Sequence, residues 1–215
     1  MMAVEIQKPL HKEVEEVMDI IGSKGFIAGG CPRYFAVDDE IPYSDIDVYC
    51  KSEEYFNDIC QALEKAGWQK TSESVNAVRY RKSPGGVIVE VIKPFQNEHM
   101  KTFGEPEEVI QQFDFTVTKA YFKDKRTVVV DEALIEDVKR RRLIITSIPC
   151  PIAVAQRVTK YARKGFSIGV RELVKLFIEW DRRDRQYKNR LQELLSNPEL
   201  SDEDFEELER LLRVD

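Results

Sequence analysis

Leu10, Val14, Val17, Met18 and Ile21 recur at helical spacing, and Gly22 and Gly25 close the segment, which predicts a first helix. A short apolar run at 26–28 feeds Gly29-Gly30 and predicts a buried strand ending in a tight turn. Residues 46–49 predict a second strand. Ser52 is placed to cap a helix reaching Ala66, with Tyr55, Phe56, Ile59 and Leu63 on one face and Gly67 as terminator. Residues 75–82 and 87–93 predict two strands joined by the turn cluster Ser83-Pro84-Gly85-Gly86. Pro106 opens a short helix to Gln112. Residues 115–122 and 127–130 predict a hairpin around Lys123-Asp124-Lys125-Arg126.

After residue 131 the period turns helical and stays so. Helices are predicted near 132–142, 151–164, 169–181, 184–196 and 202–213, the last with a Ser201…Asp204 capping signature. The pattern divides the chain into an α/β head over roughly 1–130 and an all-helical extension over 131–215, with neither an internal repeat nor a low-complexity linker. Phe166, Phe177 and Trp180 recur at helical spacing and are read as core, and His11 and His99 as structural.

Composition adds a charge asymmetry. The net charge of −6 divides into −10 over the first 138 residues, +11 over 139–190 and −7 from 191 on. Contact with a polyanion such as RNA or tRNA is therefore expected in the basic segment 139–190. Within it, Lys139-Arg140-Arg141-Arg142 is read as a solvated helix face. The acidic tail is expected either to pair with the basic segment or to keep the protein soluble. No apolar run approaches the roughly 20 residues that cross a bilayer, and the N-terminus lacks the features of a signal peptide. A cytoplasmic protein follows as the expectation. Its four cysteines lack C-x-x-C spacing and are read as reduced and mostly buried.

Candidate chemistry centres on Ser44-Asp45-Ile46-Asp47-Val48. Residues i and i+2 of a strand project from one face, so Asp45 and Asp47 point together while Ile46 and Val48 enter the core. Two carboxylates held so close repel unless a divalent cation joins them, and Mg²⁺ suits hard oxygen ligands and phosphate. Upstream, Gly29-Gly30 allows close backbone approach to phosphate oxygens. Downstream, Glu90 lies inside the otherwise apolar strand 87–92, where a carboxylate is costly unless it meets a cation or strong donors.

At this point the chain resembles the DNA polymerase β-type nucleotidyltransferase superfamily, with closest likeness to the head and neck of class II CCA-adding enzymes and bacterial poly(A) polymerases. Gly29-Gly30-Cys31-Pro32-Arg33 resembles the family's G-G-x-V-R, and Asp45-Ile46-Asp47 its D-x-D after a slightly longer gap. The strand ending Glu90-Val91 resembles the one ending "vEv". Residues 107–116 resemble "eeDlaRRDFT", and 158–168 the neck helix "vRFAArLGFtI". The likeness runs in order over about residues 20–175. It implies an α+β fold, a mixed-sheet nucleotidyltransferase head with flanking helices and an all-α extension. It further implies that Asp45, Asp47 and Glu90 hold two Mg²⁺ ions, or Mn²⁺, and that Gly29, Gly30, Arg33 and Ser44 meet the triphosphate of an NTP. Asp114 is placed near the sugar by the same likeness, and Lys160 is a candidate to face the cleft.

Two departures stand out. Gln112-Phe113 replaces the family's arginine pair, and Pro149-Cys150-Pro151-Ile152-Ala153 replaces its base-selecting E-D-x-x-R. The resemblance therefore implies transfer of a nucleoside monophosphate to a hydroxyl, an RNA end in first place, by something other than a CCA-adding enzyme. A protein or nucleotide acceptor, as in toxin or signalling enzymes, and a non-catalytic nucleotide- or RNA-binding module are the alternatives.

Overall fold

A computed structural model describes residues 3–97 and 100–212, excepting the side chains of Glu209, Arg210 and Leu212. His99, and residue 213 at the end of the last predicted helix, lie outside the described residues. The head runs β1 (Ala3–Gln7), α1 (Lys12–Ile21), β2 (Gly25–Ala28), α2 (Gly30–Val37), β3 (Asp45–Cys50) and α3 (Tyr55–Lys65). It continues through β4 (Gln69–Glu73), β5 (Ala77–Arg81), β6 (Ile88–Ile92), α4 (Pro106–Gln111), β7 (Ala120–Phe122), β8 (Thr127–Asp131) and α5 (Glu132–Lys139). Then follow β9 (Arg142–Leu143), α6 (Pro151–Ala162), β10 (Ser167–Ile168), α7 (Val170–Arg182), α8 (Arg185–Ser196) and α9 (Asp202–Leu212).

Among the described residues, eight strands form one mixed sheet in the order β1-β8-β7-β2-β3-β6-β5-β4. Neighbours are antiparallel except β3 and β6, which run parallel. The central strand β2 is buried on both faces, which is why it reads as an unbroken apolar run. Phe26 and Ala28 meet Val109 and Ile110 of α4 on one face, while Ile27 joins Val14, Val17, Ile59 and Leu63 of α1 and α3 on the other. The alternation in β3 and β6 sends Ile46, Val48, Val89 and Val91 into that larger core and Asp45, Asp47 and Glu90 to the opposite face. Helix α5 adds Leu134 and Val138 to the larger core.

Several expectations are corrected. Ser52 does not cap α3: its hydroxyl donates to Glu54, and the helix begins at Tyr55. Residues Thr116–Thr118 form a 3₁₀ turn and not the start of a hairpin strand. Two outer strands went unpredicted: β1, whose Val4 and Ile6 alternate onto the core, and β4, which reads Gln-Lys-Thr-Ser-Glu, exposed throughout. Phe166 is core, whereas Phe177 is exposed and Trp180 sits half-buried against the Tyr187 ring. The basic run at 139–142 is only partly solvated, since Arg141 meets the buried Asp39 at 3.1 Å and Arg142 pairs with the buried Asp137.

In the acidic tail, α9 folds back on α8, where Arg190 bonds Asp204 and Glu207. The Ser201 hydroxyl accepts the Asp204 N–H at 3.1 Å and donates to its carboxylate at 2.8 Å, as the capping signature requires. His11 is structural, its Nδ1 lying 2.9 Å from the Tyr43 hydroxyl with its ring edge-on to Phe35. The four cysteines are free thiols.

Candidate active site

A cavity of about 1080 Å³ lies between the polar face of the sheet and the helical extension. Gly29, Gly30, Ser44, Asp45, Asp47, Glu90, Asp114 and Lys160 all line it. Strand register does most of the assembly. Ala28 pairs with Asp47, and Asp47 pairs with Glu90, so the glycine turn and three carboxylates fall on adjacent strands. Gly29 adopts φ +92°, and a Cβ there would sit 3.3 Å from Asp47 Oδ2. The glycine thus permits both the left-handed turn and the close approach of the carboxylate.

The acids have different surroundings. Glu90 Oε1 accepts from Arg79 Nε at 2.6 Å, across the β5–β6 pairing. An arginine of the neighbouring strand is thus the cation beside this largely buried carboxylate. No group of three or more His, Cys, Asp or Glu side chains disposed to hold a metal ion occurs among the described residues. The Asp45 carboxylate acts through its charge on Lys164. The pair's negative field is felt at Cys31, whose thiol is pushed well up by burial first and by Asp47 and Asp45 next. Asp45 and Asp47, same-faced hard oxygen donors against a glycine, fit a divalent cation.

Arg33 is the clearest departure from expectation. Although it borders the cavity, it is 2% exposed and engaged. Its Nε lies 3.3 Å from Asp39 Oδ2, its guanidinium donates to the Tyr161 hydroxyl at 3.3 Å, and the Phe166 ring stacks at 6.0 Å. Arg33 thus ties α2 to α6 and does not project a free fork at a ligand. Gly29 lines the cavity, with its N–H donated to Ala120 O at 2.8 Å. Asp114 is buried and paired with Arg157 of α6. Lys160 is exposed on α6, one turn before Lys164.

Lys164 emerges as a further cation of the site. It is half-buried, lines the cavity, and lies near enough to Asp45 to feel its charge. Burial lowers its pKa first, and the charges of Arg33 and Lys160 lower it further against the opposing pull of Asp45 and Asp39. Its sequence signal was its place four residues after Lys160 in the predicted helix 151–164, although the helix ends at Ala162 and Lys164 lies in the turn that follows.

Family comparison adds one match. A family model described as "Gad2: Gabija anti-defense 2 family protein" matches residues 5–141. No curated protein matches. Among solved structures, a tRNA-processing enzyme in apo form superposes on 97% of this chain and 59% of its own, at 15% identity and TM-score 0.56. The Thermotoga maritima CCA-adding enzyme complexed with tRNA does so on 99% and 55%, at 13% identity and TM-score 0.56. A CCA-adding enzyme in complex with ATP does so on 93% and 49%, at 13% identity and TM-score 0.57. The chain thus spans roughly half the length of these proteins, and the likeness shows a shared nucleotidyltransferase-like fold. No helix among the described residues is long and apolar enough to cross a membrane.

Proposed function

This chain belongs to the Gabija anti-defense 2 family, and we propose that it is a metal-dependent nucleotidyltransferase that moves a nucleoside monophosphate from an NTP to a hydroxyl acceptor. The observation that carries the reading is the pair Asp45 and Asp47, same-faced in β3, lining a cavity whose far wall presents Lys160 and Lys164. A nucleotide-binding module without catalysis gains nothing from two adjacent carboxylates beside a phosphate site.

Asp45 and Asp47 would hold the divalent cation, which would neutralise phosphate charge and lower the barrier to displacement. The acceptor oxygen attacks the α-phosphorus, the bond to the bridging oxygen of the β-phosphate breaks, and pyrophosphate leaves. Lys160 from α6 and Lys164 from the turn that follows it counter the charge of the leaving phosphates. Glu90, level with Asp47 and anchored by Arg79, is assigned to receive the proton of the attacking hydroxyl. The Gly29 turn lets Asp47 lie against the backbone, so that rate gain comes from positioning and charge, with no covalent enzyme intermediate. An RNA end is the acceptor we favour, because Lys160 on α6 and Arg163 just after it are exposed cations that suit a phosphate backbone.

Incubation with Mg²⁺ and each α-labelled NTP, with cell RNA and cell protein as acceptors, tests the proposal. Label is expected in RNA and pyrophosphate in solution, and the Asp45→Asn, Asp47→Asn double variant should lose both. Equal turnover by that variant refutes the assignment. Label in the protein fraction would move the acceptor to a protein hydroxyl, a reading that the family's anti-defense description also accommodates.

A further inference from the structure

Helix α7, 13 residues long, buries Glu172 and Leu176 on one side. On the other it turns Val170, Val174, Phe177 and Ile178 outward, at 76%, 47%, 67% and 46% exposure. Spaced i, i+4, i+7 and i+8, these four side chains fall on one stripe of the helix surface. Single exposed apolar residues are ordinary, but a continuous stripe marks an interaction surface. Arg171 stands exposed at the N-terminal end of the stripe and Asp181 at its C-terminal end. The Asp181 side chain is 94% exposed, and its ion pair with Lys188 is a loose 3.8 Å.

An apolar centre bracketed by opposite charges at opposite ends is self-complementary. We propose that this face of α7 is the contact surface of a homodimer, with α7 packed antiparallel on its copy about a two-fold axis level with Leu176. In that arrangement Val174 meets the partner's Ile178, Phe177 lies near the axis, and Arg171 reaches the partner's Asp181 at both ends. This is the isologous geometry that two-fold symmetry demands. Other occupants fit less well. A nucleic acid or an anionic membrane calls for free cations along the stripe, whereas Asp181 stands at its C-terminal end and the neighbouring Arg182 is paired with Glu179. One helix pair is a small interface, so dissociation on the order of micromolar is expected.

Sedimentation velocity or light scattering of the 215-residue chain across about 0.5–100 μM tests the proposal around the dissociation constant expected for so small an interface. A concentration-dependent dimer is expected. Phe177→Asp, a substitution at an exposed position that leaves the fold intact by circular dichroism, should weaken it about a hundredfold. Leu195→Asp, an exposed apolar residue on α8 outside the stripe, should leave the dimer unchanged. The charge reversal Arg171→Glu should weaken association, and adding Asp181→Arg should restore it. A chain monomeric across the whole range, a dimer indifferent to Phe177→Asp, one dissociated by Leu195→Asp, or a double reversal worse than the single one would each overturn the proposal.

Discussion

Replacing Asp39 by alanine is the sharpest test of what Arg33 does. Asp39 is fully buried and faces two guanidinium groups: Arg33 Nε at 3.3 Å and Arg141 at 3.1 Å. Neither contact has hydrogen-bond geometry, so the attraction is chiefly Coulombic. Asp39→Ala leaves the buried Arg33 without a counter-charge, and breaking one half of such a pair costs about 3–5 kcal/mol. For a chain of this size, that lowers the melting temperature by roughly 6–20 °C. Arg141 is partly solvated, so Arg141→Ala should cost only about 1 kcal/mol or less. Removing both members of the buried pair in Arg33→Met, Asp39→Leu should recover most of the loss, because no lone charge remains inside. Urea unfolding of the four proteins supplies the numbers. A cost below about 1 kcal/mol for Asp39→Ala, or a double variant as unstable as the single one, refutes the reading of Arg33 as a latch between α2 and α6. Nucleotide affinity lost at full stability in the double variant would return Arg33 to the triphosphate.

Lys164→Met should weaken NTP binding about tenfold or more, the cost of one charge-assisted contact, while leaving urea stability near that of the parent, as titration calorimetry and unfolding together would show. Because its pKa is lowered by burial, Lys164 loses its proton at lower pH than an ordinary lysine. NTP affinity should therefore fall as pH rises through an alkaline range in which Lys164→Arg still binds, and parallel profiles for the two proteins would count against the assignment.

How much of this was legible in the sequence depends on where each signal resides. The carboxylate face was, because period-two alternation in β3 and β6 is local and one residue of slip would bury Asp45 and Asp47. The latch was not: Arg33 meets a residue six positions on and another 128 positions away. No spacing rule reports such a contact. The family motif moreover assigns Arg33 elsewhere. The strand β4 has no alternation to read, since it is exposed along its length and exists by pairing with β5. Phe177 was misread for the opposite reason. Its helical period is real, but α7 carries apolar residues on the inner face and on the outer stripe alike, and periodicity alone does not say which of them is covered.

The lost arginine pair before Asp114 shows how a site can keep its charge while losing its motif. Phe113 packs 5.5 Å from the ring of Tyr49, which follows Asp47 on the cavity face of β3. Gln112 also borders the cavity but is engaged: its Oε1 accepts the backbone N–H of Lys101 at 2.5 Å, and its Nε2 donates to Glu108 O at 3.2 Å. That bond pins the segment 100–102 beside 95–97, where the Thr102 hydroxyl donates to Lys93 O at 2.8 Å. Lys101 is thereby delivered to the cavity wall, its ammonium 4.5 Å from the Phe103 ring centre. Where the resembling motif has guanidinium forks, this cavity wall carries a lysine, which would meet a phosphate as a point charge without bidentate geometry. If Gln112 acts only by holding Lys101, then Lys101→Ala and Gln112→Ala should each weaken NTP binding by a similar factor. The double variant should be no weaker than either, because the second change removes a support whose load is already gone. Losses that add in the double variant, measured as free energies of NTP binding by calorimetry, would show that Gln112 contacts the nucleotide itself and would break the link drawn between the missing arginines and Lys101.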